Sequence, residues 1–286
     1  MSEFSYLLDK IKDAEFKTEP FKYLYIQDFF KPEHFDLLTS NEQINTKEVQ
    51  TTEELIELLD KLGYAPIPFP GCTTSVTEYL DWYNNSTTER ISHHLKQVDD
   101  LLEGFGMSMR MHTYSSSVIE ELITFLNSDS FLNVVMEKFN KSGNLHVETA
   151  IQKYLSGYEI SPHPDIRKKC LTYMVNINPH KDETLSTHFM QFKSRTKCIE
   201  KYWSENPSHE RCWVPWDWCE TTFQHSKNNS ITMFAPDSDT MHAVKLDYDH
   251  TKYQRTQIYG NLWYANKPFI DKNLQWKDLN RAFLQR

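Results

Sequence analysis

With 286 residues, 14% of them aromatic, the chain is long enough to bury a sizeable core as one large domain spanning 1–286. Its formal net charge of −9 argues against a general nucleic-acid binder, which needs a basic surface to neutralise phosphates. No run approaches the roughly 18 apolar residues of a membrane span, and the charged N-terminal stretch does not resemble a signal peptide. The five cysteines are an odd number in a fairly large chain, which is unlike a disulfide framework, so we expect a reduced, cytoplasmic protein without a membrane partner.

Helical patterns dominate the first half of the chain. The clearest helix is predicted over 51–63, because Thr51 or Thr52 can cap its start and Gly63 can end it. Apolar spacing predicts further helices over 1–18, 32–39, about 76–103, and two segments between 118 and 140, with strands over 21–26 and 105–115. We therefore predict a mostly helical N-terminal elaboration covering 1–145.

From His146 onwards the pattern changes to β-structure. Strands are predicted over 146–160, 168–178, 230–237 and 255–264, and the tail 266–286 is helix-like. The segment 179–229 is predicted to be an irregular insert in a core that spans 146–265. A helix-rich first half and a strand-rich second half indicate an α+β fold, with helices packed around one mainly β core.

Two residues with metal-binding chemistry lie between the first two predicted core strands. His163 and Asp165 are separated by one residue, so on extended backbone their side chains point to the same face. An imidazole and a carboxylate side by side are two ligands of a 2-His-1-carboxylate facial triad, which suits non-haem Fe(II). His242 is the candidate third ligand, returned by the fold. Taken alone, the two-proline segment around Asp165 is equally typical of a turn in which the aspartate accepts backbone hydrogen bonds.

Arg255 follows His242 at the start of the last predicted core strand. Its planar guanidinium suits a bidentate contact with a carboxylate, although a surface arginine at a strand start is the alternative. In this order His163, Asp165, His242 and Arg255 resemble the motif of the Fe(II)- and 2-oxoglutarate-dependent oxygenases, in particular the prolyl-hydroxylase-like branch. The resemblance implies a double-stranded β-helix core (jelly roll or cupin-like), iron held by the first three residues, and the distal carboxylate of 2-oxoglutarate held by Arg255.

The same resemblance implies further contacts with 2-oxoglutarate. Tyr154 lies on the strand entering the site, and Thr172 and Asn176 occupy the next strand at positions where the branch has a threonine and a tyrosine. Gln257 shares the face of Arg255, where much of the family has serine or threonine. The asparagine and the glutamine depart from the family pattern, so packing within the core stays an alternative role for these side chains.

The family's chemistry is oxidative decarboxylation of 2-oxoglutarate to succinate, coupled through O2 to hydroxylation of an unactivated C–H bond. Related halogenases replace the metal-binding carboxylate with glycine or alanine, so the retained Asp165 favours hydroxylation. The preferred substrate is a small molecule, namely an amino acid, a nucleotide-like metabolite or a natural-product intermediate. A prolyl-type protein or peptide hydroxylase, a non-catalytic binding protein of the same fold, and a cupin-like metal enzyme without 2-oxoglutarate remain alternatives. The sequence also allows a homodimer.

The predicted insert is rich in tryptophan between Trp203 and Trp218. Broad amphipathic side chains suit a lid over the mouth of the barrel, and a dense aromatic satellite core is the alternative. The cysteines of this region, Cys198, Cys212 and Cys219, include no CxxC pair, so the spacing does not favour a structural zinc site.

Overall fold

Two antiparallel β-sheets, with helices packed against the larger one, make up the architecture of this mixed helix-and-sheet protein. The structure is a computed structural model that describes residues 2–67, 73–85, 106–166, 168–180, 185–194, 214–237 and 240–265. Its helices are α1 (Tyr6–Asp13), α2 (Pro32–Ser40), α3 (Thr52–Lys61), α4 (Val76–Asn85), α5 (Ser117–Leu126) and α6 (Asp129–Lys138).

The strands belong to both halves of the chain, but the longest lie in the second half. They are β1 (Phe16–Lys17), β2 (Tyr23–Gln27), β3 (Tyr64–Pro66), β4 (Ser108–Met111), β5 (Leu145–Tyr154), β6 (Glu159–His163), β7 (Lys169–Asn176), β8 (Thr187–Phe192), β9 (Cys219–His225), β10 (Ser230–Phe234), β11 (His242–Lys245) and β12 (Arg255–Tyr264). The eight-stranded sheet has the order β1-β2-β10-β7-β12-β5-β4-β3, and the four-stranded sheet has the order β6-β11-β8-β9.

Alternation along the strands gives the larger sheet two different apolar faces. One face packs against the helices: Ile151, Val175 and Ile258 belong to the same buried cluster as the apolar residues of α1, α3, α5 and α6. The opposite face meets the smaller sheet, since Phe189 of β8 packs against Phe234 of β10 at a ring distance of 5.5 Å. The candidate site therefore lies between two sheets, with the helices behind the larger one.

Helix α3 follows from the signals in its sequence. The Thr51 side chain accepts a hydrogen bond from the backbone N–H of Glu54 at 3.2 Å, and Gly63 adopts a φ of +85° just beyond the last turn. Leu55 and Leu59 are one turn apart and fully buried. The prediction of a capped amphipathic helix over 51–63 is confirmed, and so is the strand predicted over 255–264.

The prediction of an irregular insert over 179–229 is wrong. Strands β8 and β9 lie within it and make up half of the smaller sheet. β9 is an edge strand of which only the terminal residues, Cys219 and His225, are buried. An exposed edge strand has no need of alternating apolar residues, so the pattern that identifies a half-buried strand is missing here. The part of the predicted helix beyond residue 85, the residues 195–213 and the tail 266–286 lie outside the described residues.

The described end of the tryptophan-rich segment packs on the outer face of the smaller sheet. Trp216 and Trp218 contact a buried cluster that includes Met190 and Ala243, whose strand neighbours Phe189 and His242 point the other way, between the sheets. For these two tryptophans the lid prediction is wrong, and the satellite core is what the structure contains. Trp203, Cys198 and Cys212 lie outside the described residues. None of the described helices is long and apolar enough to cross a membrane.

Candidate active site

The smaller sheet brings two distant histidines together. His163 ends β6 and His242 begins β11, and the two residues are direct partners in the antiparallel ladder. Their ring centroids are 4.3 Å apart, and Asp165 follows His163 by two residues. One potential ligand atom from each of the three side chains lies within 4.8 Å of the others, and all three side chains are buried. The described part of the chain contains no other such group of three.

Backbone carbonyls fix the orientation of both imidazoles. His163 donates from Nδ1 to the carbonyl of Ser161 at 2.8 Å, and His242 donates from Nδ1 to the carbonyl of Thr240 at 3.0 Å. Because the Nδ1 atoms carry the protons, each Nε2 keeps a lone pair for a metal ion. Burial, and for His163 also the neighbouring His242, lowers the pKa of both rings. Both imidazoles are therefore neutral at neutral pH, as metal ligation requires.

The carboxylate of Asp165 accepts a hydrogen bond on each oxygen. Lys169 donates from Nζ to Oδ1 at 2.6 Å, and Thr172 donates from Oγ1 to Oδ2. Oδ2 lies 4.0 Å from Nε2 of His242. Burial alone would raise the pKa of Asp165, but the positive charge of Lys169, together with its hydrogen bond, outweighs burial and holds the pKa well below its usual value. The aspartate is therefore ionised.

The donor set fits a divalent transition-metal ion. Two neutral imidazole nitrogens and one carboxylate oxygen converge from one side, which matches the 2-His-1-carboxylate pattern that leaves coordination positions open for other ligands. The three residues predicted as metal ligands are thus the three that the fold brings together. Two other histidines of this region, His180 and His188, lie elsewhere: His188 contacts Thr221 at 3.1 Å on the outer face of the smaller sheet.

Arg255 supplies a buried positive charge at the start of β12, opposite Tyr154 of β5. It is 0% exposed, and its Nη2 donates to Oγ1 of Thr187 at 2.6 Å. Its Nε and Nη1 atoms have no hydrogen-bond partner among the described residues. A buried guanidinium without a carboxylate is costly, because its lost hydration is not replaced. These two donors therefore point to an anionic ligand from outside the chain.

One cavity connects this arginine with the two histidines. Its walls are a mixture of tyrosines, apolar side chains and a few polar groups: Tyr154, Tyr158, Ile160, His163, Met174, Thr187, His242, Val244, Arg255, Gln257 and Tyr259. A cationic anchor and two candidate metal ligands thus line the same cavity. This arrangement suits a small molecule with a carboxylate at one end and a metal-chelating group at the other.

The four other residues expected to contact a cosubstrate divide into two pairs. Tyr154 and Gln257 line the cavity. Thr172 and Asn176 are not among the residues that line it. Thr172 instead hydrogen-bonds to Asp165, and the amide of Asn176 donates to the carbonyls of His225 and Lys227, both at 3.2 Å, while accepting from Gln257 at 2.6 Å. These partners already use the polar atoms of the two side chains.

Sequence reasoning missed three residues of the site. Thr187 is the hydrogen-bond acceptor of Arg255 but lies in the segment predicted to be irregular. Tyr259 is two residues beyond Gln257 and therefore on the same strand face, so alternation along β12 was a usable signal. Lys169 gave no signal, because a lysine beside a turn is usually solvated.

Comparison with known proteins gives only distant likenesses. No protein-family model and no curated protein matches the chain. A prolyl-4-hydroxylase from Pseudomonas putida is similar with a TM-score of 0.43 at 7% identity, over 92% of this chain and 100% of that one. HygX from Streptomyces hygroscopicus, with nickel, 2-oxoglutarate and hygromycin B bound, has a TM-score of 0.33 at 10% identity, over 75% and 88%.

A third solved structure, an oxidoreductase of the 2OG-Fe(II) oxygenase family from Burkholderia pseudomallei, has a TM-score of 0.33 at 9% identity. It covers 77% of this chain and 94% of the other. Likenesses of this size carry no argument about function, so the assignment depends on the side chains of the site.

Proposed function

We propose that the protein is an Fe(II)- and 2-oxoglutarate-dependent dioxygenase that hydroxylates an unactivated C–H bond. The observation that carries the proposal is the guanidinium of Arg255, which is buried with two unpaired nitrogens and lines the same cavity as His163 and His242. A triad alone would suit many metal proteins. A triad that shares its cavity with an unsatisfied buried arginine suits a metal-chelating dicarboxylate.

2-Oxoglutarate fits this arrangement at both ends. Its distal carboxylate would accept from Nη1 and from the second N–H of Nη2 of Arg255, while the other N–H of Nη2 keeps its hydrogen bond to Thr187. Its 2-oxo acid end would face the open metal positions in front of His163 and His242. Tyr154 adds a ring 5.0 Å from Cζ of Arg255, which helps to hold the guanidinium in one orientation.

The residues of the chain prepare the site for this chemistry. Iron, when bound, supplies activation of O2 coupled to decarboxylation of the 2-oxo acid. The neutral imidazoles of His163 and His242 and the ionised Asp165 provide three ligands in fixed orientations. Apolar side chains such as Ile160 and Val244 limit water in the cavity, which strengthens the charge pairing of Arg255 with a bound carboxylate.

For the fold we propose a double-stranded β-helix. Consecutive strands from β5 to β12 alternate between the two sheets except at the β8–β9 pair: β5, β7, β10 and β12 belong to the larger sheet, and β6, β8, β9 and β11 to the smaller. This alternation supports a jelly-roll core to which β1 to β4 add further strands.

A small molecule remains our proposal for the substrate, since tyrosines and apolar side chains line the cavity beside Arg255. The alternative is the side chain of a protein or peptide. The two can be separated by measuring succinate release in the presence of candidate amino acids, nucleotides and proline-containing peptides, because turnover of 2-oxoglutarate is stimulated by the true substrate.

Anaerobic titration with Fe(II) and 2-oxoglutarate tests the proposed function directly. The wild-type protein should develop the weak visible charge-transfer band of the iron chelate. The band should be absent in His242→Ala and Asp165→Ala, and should require much more 2-oxoglutarate in Arg255→Ala. Arg110→Ala is the matched control, because this partly exposed arginine pairs with Glu148 and does not line the cavity. No band from correctly folded wild-type protein would refute the proposal.

A further inference from the structure

A buried lysine contacts the metal-binding carboxylate. The side chains of Lys169 and Asp165 are 5% and 7% exposed, and Nζ of the lysine lies 2.6 Å from Oδ1 of the aspartate. The same Nζ donates to the hydroxyl of Tyr259 at 2.9 Å. The pair is therefore unlike a surface ion pair, because neither group can exchange its partner for water.

The local backbone fixes the lysine in this position. The backbone N–H of Lys169 donates to the carbonyl of Ile166 at 2.9 Å, which closes the turn between Asp165 and β7. Lys169 then begins β7 opposite Trp263 of β12. Its ammonium lies 5.5 Å from the ring centroids of both Trp263 and Tyr259. The turn, the strand pairing and the two aromatic rings thus hold the ammonium beside Asp165.

The charge of this lysine changes the electrostatics of the metal site. Two neutral imidazoles and one carboxylate carry a net charge of −1, and the ammonium of Lys169 brings the four groups to zero. With a divalent ion bound, the net charge of the site is therefore +2, whereas without the lysine it would be +1. Because the groups are buried, water screens this difference only weakly.

We propose that Lys169 is a positioning residue with a fixed positive charge, which lowers the affinity of the site for the bare divalent ion and raises its affinity for an anionic chelator. Oδ2 of Asp165, held by Thr172 and facing His242, is left as the metal-binding oxygen, while Lys169 engages Oδ1. The identity of that chelator, 2-oxoglutarate, rests on the proposed function. The effect of Lys169 on metal affinity rests on the geometry alone.

Two effects of removing the lysine oppose each other. Loss of the hydrogen bond to Oδ1 would loosen the carboxylate and weaken metal binding, whereas loss of the positive charge would strengthen it. Thr172 still holds Oδ2 in such a variant, and the bound ion itself replaces part of the lost attraction. Repulsion between a double and a single charge a few ångströms apart is the larger effect at the dielectric of a buried site. The metal affinity should therefore rise.

The experiment measures binding of Co(II) to metal-free full-length protein. We expect Lys169→Met and Lys169→Gln to bind Co(II) about tenfold or more tightly than the wild type. Lys169→Arg, which keeps the charge, should stay close to the wild type. Lys168→Met is the matched control: it removes the neighbouring lysine, which lies 5.8 Å from the Trp263 ring rather than on Asp165. Its Co(II) affinity should not change.

A second measurement uses the Co(II)-loaded proteins and two chelating dianions, oxalate and 2-oxoglutarate, under anaerobic conditions. Both should bind more weakly to Lys169→Met and Lys169→Gln by about tenfold or more, and normally to Lys169→Arg and Lys168→Met. Oxalate reports on the charge of the metal centre without requiring the carboxylate anchor at Arg255.

Unchanged or weaker Co(II) binding in folded Lys169→Gln, which retains a hydrogen-bond donor, would overturn the inference and leave Lys169 a structural partner of the aspartate. The glutamine variant decides the question if the methionine variant does not fold. Failure of the proposed function looks different: 2-oxoglutarate would bind to no form of the protein, while the shifts in Co(II) and oxalate affinity would persist.

Discussion

His163 and His242 are direct partners across the β6–β11 ladder, with ring centroids 4.3 Å apart. The strand pairing, rather than a loop, therefore sets the distance between these two candidate metal ligands. A register slip of one residue in either strand would turn its histidine to the outer face. The bulge between His242 and Val244 lies directly beside this pair, on the side of the ladder away from Asp165.

Metal binding should stabilise the wild-type protein, because an ion that binds only the folded state shifts the unfolding equilibrium. With free Co(II) at about one hundred times its dissociation constant, the free energy of unfolding should rise by about 2.7 kcal/mol. His163→Ala should lose more than about a hundredfold in Co(II) affinity, since even outer partners of a ligand contribute up to that amount. Denaturant unfolding with and without a chelator measures both effects, and an unchanged midpoint for the wild type would contradict the metal site.

Arg255→Met should separate stability from ligand binding. Replacing a buried, partly unsatisfied charge by an apolar side chain is neutral or stabilising, so the free energy of unfolding without ligand should stay equal or rise by about 1–4 kcal/mol. The affinity of the metal-loaded protein for 2-oxoglutarate should fall by about a hundredfold or more. Calorimetric unfolding and anaerobic ligand titration measure the two quantities. A strongly destabilised variant with normal 2-oxoglutarate affinity would assign Arg255 a structural role.

Lys153 should give the stability a pH dependence above neutrality. This fully buried amine donates to the carbonyl of Ile44 and the hydroxyl of Thr256, and burial lowers its pKa to about 7. In the unfolded chain its pKa is about 10.4, so between these values the unfolded state binds a proton that the folded state does not. The free energy of unfolding should therefore rise with pH from about 7 towards 10, with a slope of at most about 1.4 kcal/mol per pH unit.

Lys153→Met removes this titration, so the comparison of the two proteins isolates it from other groups. Urea unfolding at several pH values from 6 to about 9.5 should show that the stability of the wild type relative to the variant increases as the pH rises. A difference that stays constant across this range would mean that the folded-state pKa of Lys153 is close to its unfolded value.

Gly260 should tolerate no side chain, because β12 passes directly over a buried tyrosine. A Cβ at this position would lie 2.0 Å from Cζ of Tyr173, whose hydroxyl is held by Thr149. Gly260→Ala should therefore cost about 1–3 kcal/mol of stability through overpacking. The double variant Gly260→Ala/Tyr173→Leu should cost less than the sum of the two single changes, measured by denaturant unfolding. Additive costs would show that the ring can move aside.

Period-two alternation explains why the candidate metal ligands and Arg255 could be identified from the sequence. His163 and Asp165 share a face of one extended segment, and Arg255 begins a strand that pairs with β5 over ten residues without a register shift. The same rule failed for Thr187, because β8 pairs with an exposed edge strand and neither strand alternates clearly in sequence. A prediction based on apolar periodicity finds strands that are half buried, and β9 is mostly exposed.

Contacts made by polar side chains were not predictable, because they depend on three-dimensional neighbours. The resemblance implied that Asn176 contacts 2-oxoglutarate, yet its amide donates to the carbonyls of His225 and Lys227. Lys169 differs from a solvated lysine only through the turn after Asp165 and the rings that enclose it. Spacing along the chain contains neither fact.

The cavity has one wall from each sheet, and this division has a mechanical consequence. His163 and His242 belong to the smaller sheet and Arg255 to the larger, and the hydrogen bond from Arg255 to Thr187 already joins the two. A molecule held by the metal at one end and by the guanidinium at the other would connect the two sheets. When the ligand is bound, amide hydrogens on β11 and β12 should exchange with solvent more slowly and at similar rates. The two sheets should therefore move independently in the empty protein and as one rigid body in the ligand-bound protein.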